Sequence, residues 1–216
     1  MTQKYGIQPV NDESLELAVE LIQAGQVVVI PTDTVYGIVA DPTHAQAVKE
    51  IFAVKHRPQE KTVQILASHM ADTQEFGVRI PEPLKPVEKA FMPGALSIIA
   101  HVDAQVAQRP LQTVRHEVDG SLTQAVRLPD NDVSLRILAR TGALAASSAN
   151  LSGHSSVSTA QDAYAQLGDS VALYLDGGPT PGPVASTVVA WDFAKGVPAI
   201  LREGVIPAEQ IFAVLA

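Results

Sequence analysis

Three polar clusters in this sequence bring together residue types that could bind and activate small anions. The segment Pro31-Thr32-Asp33-Thr34-Val35-Tyr36-Gly37 sets two threonine hydroxyls, a carboxylate and a phenol directly behind an apolar run. Those groups suit a small polar ligand, or equally a capped turn in which Asp33 bonds its own backbone. The segment Lys55-His56-Arg57-Pro58-Gln59-Glu60-Lys61 puts three cations within seven residues. Arg57 could offer a bidentate fork, and Lys55 and Lys61 point charges, to a polyphosphate. Cations at the end of a helix also complement its dipole, which leaves a plain structural role open. In Ser147-Ser148-Ala149-Asn150-Leu151-Ser152-Gly153, four small hydrogen-bonding side chains fall in six positions. They could hold a ribose or phosphate, or form a polar loop or helix cap. Arg127-Leu128-Pro129, Ser186-Thr187-Val188-Val189 and Leu201-Arg202-Glu203-Gly204 each add a cation or hydroxyls at the end of a strand-like run.

Other chemistries lack their signatures. There is no G-x-x-x-x-G-K-S/T phosphate loop, no G-x-G-x-x-G after the first apolar run, no H-E-x-x-H and no G-x-S-x-G elbow. The six histidines are scattered, so no metal site is read. The absence of cysteine removes disulfides, thiolate metal sites and a cysteine nucleophile.

The elements that must position these groups can be read from periodicity. Asn11 or Asp12 caps a helix whose Leu15, Ala18, Val19, Leu21 and Ile22 share a face, with Gly25 as its stop. Val27 to Ile30 reads as a buried strand, and Pro31 to Gly37 as the loop beyond it. A helix is expected over about 43–54, a strand over 63–67, a short helix over 84–91 and a strand over 96–102. Residues 103–124 form a polar excursion with a hairpin turn at Asp119-Gly120, and 125–128 resume an extended pattern. Asp132 is placed as the cap of a helix ending at Gly142. A small-residue strand over 143–147, a helix over 160–167, strands over 171–175, 187–190 and 199–201, and a helix opened by Pro207 complete the chain. Interspersed strands and helices predict an α/β protein, and the strand-rich last third predicts a mixed rather than all-parallel sheet.

The 216 residues suit one domain, 1–216, with 46% apolar and 18% charged residues. Fifteen Lys and Arg against 23 Asp and Glu give a net charge of −8, the wrong sign for a general nucleic-acid or anionic-membrane binder. An anion site on this body must therefore be a local concentration of cations. No apolar run reaches membrane-spanning length and residues 1–14 are polar, so a soluble cytoplasmic protein is expected, with no membrane partner.

Taken together and in order, the segments resemble the YrdC-like family, which includes the threonylcarbamoyl-AMP synthases of tRNA modification. The resemblance is carried by PTDTVYG (31–37), KHRP and the following Lys (55–61), PGA-L-S (93–97), RLP (127–129), SSANLSG (147–153), STVV (186–189) and LREG (201–204). It implies an open twisted mixed sheet flanked by helices around a concave ligand cavity, in the short form without a C-terminal extension domain. It implies joining L-threonine, bicarbonate and ATP into threonylcarbamoyl-AMP and pyrophosphate, with Mg²⁺ arriving on the ATP and no tightly bound cofactor. A partner complex, a tRNA threonylcarbamoyl-transferase, then consumes the product.

The resemblance places Lys55, Arg57, Ser148 and Asn150 by the nucleotide phosphates, with Lys61 and Arg202 completing the ATP contacts. It assigns Thr34 and Arg127 to threonine, together with Thr32 and Ser186, and Tyr36 to the bicarbonate or carbamate position. Five of the fifteen cations thus occupy matched positions. Three positions depart from the family pattern: Ala95 and Thr62 where prolines are usual, and Asn131 near where many members carry a histidine. Two alternatives remain beside the synthase: a family paralogue of unassigned activity, and a nucleotide- or weakly RNA-binding module.

Overall fold

A computed structural model describes residues 4–58 and 60–216. In chain order the first strands and helices are β1 (Ile7–Pro9), α1 (Asp12–Gln23), β2 (Val28–Ile30), β3 (Gly37–Ala40), α2 (Ala45–Val54), β4 (Gln64–Leu66) and β5 (Val78–Arg79). Then come α3 (Lys85–Phe91), β6 (Leu96–Val102), β7 (Arg115–His116), β8 (Leu122–Arg127), α4 (Asp132–Thr141) and β9 (Leu144–Ser148). The last are α5 (Ala160–Leu167), β10 (Leu173–Asp176), β11 (Thr187–Asp192), β12 (Val197–Arg202) and α6 (Ala208–Leu215). Among the described residues no helix is long and apolar enough to cross a membrane.

The strands join in one sheet of order β1-β10-β2-β3-β9-β4-β8-β6-β11-β12, with β5 on β6 and β7 on β8. Pairs β1/β10, β10/β2, β4/β8 and β6/β11 are parallel and the rest antiparallel, so the sheet is mixed as expected. Pro9 sits on the edge strand, where a missing N–H costs no central ladder bond.

Strand alternation divides the sheet into two faces. One face carries Val29, Ile38, Ala145 and Tyr174 under α2 and α5, and further along Ile65, Ile98 and Val126 under α3 and α6. The other carries Val28, Ile30, Val39, Leu144 and Leu173 under α1 and α4. On that second face Gln64 stands opposite Ala146, and Arg127 beside Leu66. It is along this stretch that the sheet opens into a cavity instead of packing on a helix.

Helix ends follow their local chemistry. Asn11 caps α1 in a capping box: its Oδ1 accepts from Ser14 N at 2.8 Å and its own N–H donates to Ser14 Oγ at 3.0 Å. Gly25, at φ +75°, takes the left-handed turn that ends this helix. The cap of α4 is Asn131, not Asp132. Asn131 has extended backbone and accepts from Ser134 N at 3.0 Å, while Asp132 lies in the first turn, facing the positive end of the dipole. Asn131 thereby has a structural task of its own. The 103–124 excursion turns at Asp119-Gly120 as expected, but β8 already starts at Leu122 and pairs with Arg115 and His116. Strands β1, β3, β5 and β7 are additions to the sequence reading.

Candidate active site

The cavity, of about 260 Å³, gathers most of the residues singled out by sequence. Thr34 comes from the loop after β2, Arg57 from the end of α2, Arg127 from the end of β8 and Ser148 from the end of β9. Ser186 and Arg202 close the far wall, at the start of β11 and the end of β12. Strand ends thus deliver polar groups to one place, while the alternate residues stay in the core.

Arg57, Arg127 and Arg202 are each pre-oriented by fixed acceptors. Buried Arg127 donates from Nε to Gly94 O at 3.0 Å, from NH1 to Thr34 Oγ1 at 2.7 Å and from NH2 to Asp33 Oδ1 at 2.6 Å. Arg57 donates from NH2 to Thr62 O at 2.8 Å, and its Nε is buried without a partner among the described residues. Arg202 reaches Ser186 O from both Nε (3.1 Å) and NH2 (2.8 Å), with Ser186 Oγ at 3.2 Å from NH2. Ser186 Oγ in turn lies 2.9 Å from Ser97 Oγ, and Ser97 donates to Gln64 Oε1 at 2.7 Å. Ser97 therefore holds the hydroxyl chain behind Arg202.

The turn after β2 is held by Thr32, whose Oγ1 donates to Val35 O at 2.7 Å and accepts from Thr34 N at 3.2 Å. Thr32 is therefore the capping residue there, and Asp33 is left for Arg127. Thr32 and Tyr36 do not line the cavity. Tyr36 is wholly buried in the cluster under α2 and α5, its hydroxyl donating to Gly178 O at 2.6 Å and accepting from Gly177 N at 3.2 Å. It ties the 177–178 turn to the motif loop, and burial pushes its phenol pKa up. Lys61 lines a neighbouring groove rather than the cavity itself.

Lys55 is buried at the C-terminal end of α2, and its Nζ donates to the carbonyls of Ser148 and Asn150. It fastens the helix end to the Ser-Ala-Asn turn. Asn150 is spent similarly: its Nδ2 donates to Leu151 O and His154 O, both at 2.8 Å, while its buried Oδ1 has no partner among the described residues. Burial, reinforced by the nearby charges of Arg57 and Lys61, pushes the Lys55 ammonium down to about 7. Below that pH the group is charged in both folded and unfolded chains, and the folded state carries the full cost of burying it. As pH rises, the folded protein sheds the proton while the unfolded chain keeps it towards 10.5, so this group's share of stability increases across that window. The melting-temperature advantage of wild type over Lys55→Met should therefore grow between about pH 7 and about pH 9. A pH-independent difference in thermal melts would refute this.

Sequence reading did not foresee Gln64, Thr113, Arg115, Glu117, Thr123 and Gln124 in the wall. Five of these, Thr113, Arg115, Glu117, Thr123 and Gln124, come from the polar excursion and the strand it pairs with. Its Asp-Gly turn was the available signal, because a hairpin there places Arg115 opposite Thr123, four residues before Arg127.

Electrostatically the cavity is unbalanced. Partial burial and repulsion from Arg202 both work against the charge of Arg57, and partial burial and repulsion from Arg127 work against that of Arg202. For Arg127, burial lowers the pKa and Asp33 counters it. Glu117 is the one carboxylate among the described residues lining the cavity. Guanidinium groups that repel one another across a shared space, held by carbonyls, hydroxyls and, at Arg127, the Asp33 carboxylate, suit a phosphorylated or carboxylated anion.

The Sua5/YciO/YrdC family profile, described as "Telomere recombination", matches residues 20–204, and the chain belongs to that family. A candidate threonylcarbamoyl-AMP synthase of Mycobacterium tuberculosis is 39% identical over 199 residues, covering 92% of this chain and 87% of the relative. The threonylcarbamoyl-AMP synthase of Bacillus subtilis is 35% identical over 206 residues, 95% of this chain but 57% of that protein. The crystal structure of Pyrococcus abyssi Sua5 complexed with L-threonine aligns with a TM-score of 0.83 at 28% identity, over 99% of this chain and 61% of that one. The chain thus spans somewhat over half the length of those two longer relatives.

Proposed function

We propose that this chain is an L-threonylcarbamoyladenylate synthase. The threonine amine attacks bicarbonate and water leaves, giving a carbamate. A carbamate oxygen then attacks the α-phosphorus of ATP, the bond to the β-phosphate oxygen breaks, and pyrophosphate departs. Neither step needs a protein nucleophile; both need anions held together with their charge neutralised. The observation that carries the reading is the set of mutually repelling, backbone-locked arginines 57, 127 and 202 around one cavity. The similarity to named synthases supports it.

Arg127 faces the threonine carboxylate with the N–H groups left over from Asp33, Thr34 and Gly94, and Thr34 stands beside it. Arg57 and Arg202 neutralise the phosphates, with the Ser148 hydroxyl as a donor and Lys61 at the side, while Asn150 acts through the Ser-Ala-Asn turn that its Nδ2 holds. Lys55, Thr32 and Tyr36 act through the loops they hold, and Lys55 adds its charge when protonated. Magnesium comes with the substrate as MgATP. The product is labile and passes to a tRNA threonylcarbamoyl-transferase complex, which implies work in the cytoplasm.

The test is pyrophosphate release from ATP by the purified chain, with threonine and bicarbonate added singly and together. Release should require both, and Arg57→Ala should lower it by about 10²-fold, the scale for losing one preorganised charge donor. Folded protein with no co-substrate-dependent release would overturn the reading.

A further inference from the structure

Arg115 differs from the other cavity arginines in how it is held. It is 55% exposed and lies at the rim, on the two-residue strand β7 of the excursion hairpin. Its ionic partner is Glu117, two residues on, through a single contact of 3.2 Å from Nε rather than a fork. An exposed pair of that kind contributes no more than about 1 kcal/mol. Glu117 has a second donor in Thr123, whose Oγ1 reaches it at 2.7 Å, so the carboxylate keeps a partner if Arg115 leaves.

The location has a direction. Arg127 is 3% exposed at the inner end, where the reading above puts threonine and therefore the attacked α-phosphorus. From there the β- and γ-phosphates can extend towards the rim, where Arg115 stands. Arg115, with Thr62 and Thr113, also lines the adjoining groove of about 520 Å³, where Lys49 and Lys61, with His116, outnumber the single carboxylate of Glu60. Glu117 is neutralised by Arg115 at the cavity wall. A polyphosphate brings several negative charges and bidentate acceptors, which outcompete one carboxylate at one contact.

We infer that Arg115 is a further nucleotide-binding residue, paired with Glu117 and transferred to the distal phosphates when a nucleoside triphosphate binds. Glu117 is the gate: it holds Arg115 at the rim and opposes the bare polyanion until Arg115 bridges to it. The identity of the nucleotide as ATP rests on the synthase reading.

Calorimetric titration of the whole chain with MgATP, AMP and inorganic pyrophosphate tests this. Arg115→Ala should weaken ATP and pyrophosphate about tenfold and leave AMP within about twofold, as expected for losing one charged contact beyond the α-phosphate. Arg115→Lys should restore part of the loss. Glu117→Gln should move the other way and tighten ATP, because Arg115 is no longer held back. The KM for threonine should be unchanged in all three, and thermal melts should confirm that each is folded. Unchanged ATP affinity in Arg115→Ala, equal weakening of AMP, or a Glu117→Gln that weakens ATP would each overturn the inference, the last by showing the pair to be a structural brace. The synthase reading fails separately, on wild type that binds ATP yet releases no threonine-dependent pyrophosphate.

Discussion

Arg127→Ala should lower kcat/KM for threonine by about 10³-fold, at the upper end for removing one charged group from a reaction centre. The side chain does two jobs that alanine ends together. It presents its remaining N–H groups to the cavity, and it closes the ring of Gly94 O, Thr34 Oγ1 and Asp33 Oδ1 that fixes the motif loop. Removing it leaves the Asp33 carboxylate, only 14% exposed, facing a space without its counter-charge. Breaking a buried pair in this way costs on the order of 3–5 kcal/mol of stability. Arg127→Lys separates the two effects. Lysine keeps the charge near Asp33 but cannot reproduce a fork that meets three acceptors in fixed directions. That variant should stay folded and still lose at least about tenfold in kcat/KM, mostly through KM for threonine. Unchanged kinetics in Arg127→Lys would show that charge alone matters here and that the fork geometry does not.

The same residues show what could and could not be seen in the chain before its structure. Helices α1, α2, α4 and α5 were legible from their apolar spacing, and α1 from its cap as well, as at Asn11, Leu15, Ala18 and Ile22. Strands with several β-branched residues, such as β2 and β6, were legible for the same reason. Strand β3, Gly-Ile-Val-Ala, was not: four residues directly after a polar loop carry too little pattern, and only its pairing with β2 and β9 makes it a strand. Strand β1 ends in proline, which argues against a strand until its edge position is known. The cation cluster was visible as residue types but not as geometry. Arg57, Arg127 and Arg202 lie far apart in sequence, and their convergence depends on the crossing order of the sheet. Tyr36 illustrates the limit. Its neighbours Thr34 and Val35 line the cavity, while the backbone turns the phenol to the opposite side, into the core under α2 and α5. Composition cannot reveal which way a loop residue points.

Gly204→Ala should destabilise the protein by about 3 kcal/mol or more, the upper range for forcing atoms into filled space. For a chain of this size that is a drop of roughly 6–12 °C in Tm. The motif Leu201-Arg202-Glu203-Gly204 owes its glycine to close approach rather than to a left-handed turn. A Cβ there would lie 2.2 Å from Ala185 O, 2.5 Å from Ser186 C and 2.6 Å from Thr187 N, all backbone atoms that cannot rotate away. The turn wraps around buried Thr187, whose Oγ1 accepts from Gly204 N at 2.9 Å and Ile206 N at 3.1 Å and donates to Ile206 O at 2.6 Å. Moving the 185–187 backbone moves Ser186 O, the acceptor for Arg202, and with it the hydroxyl pair of Ser186 and Ser97. Pyrophosphate release should therefore fall by about 10²-fold even below the melting transition, as when one oriented charge is misplaced. Gly182 supplies the control, since a Cβ there meets nothing within 4 Å. Gly182→Ala should remain within about 0.5 kcal/mol of wild type. A Gly204→Ala protein that melts with wild type and turns over normally would show that the β12 turn yields without disturbing Arg202, and that the glycine serves neither the packing nor the site.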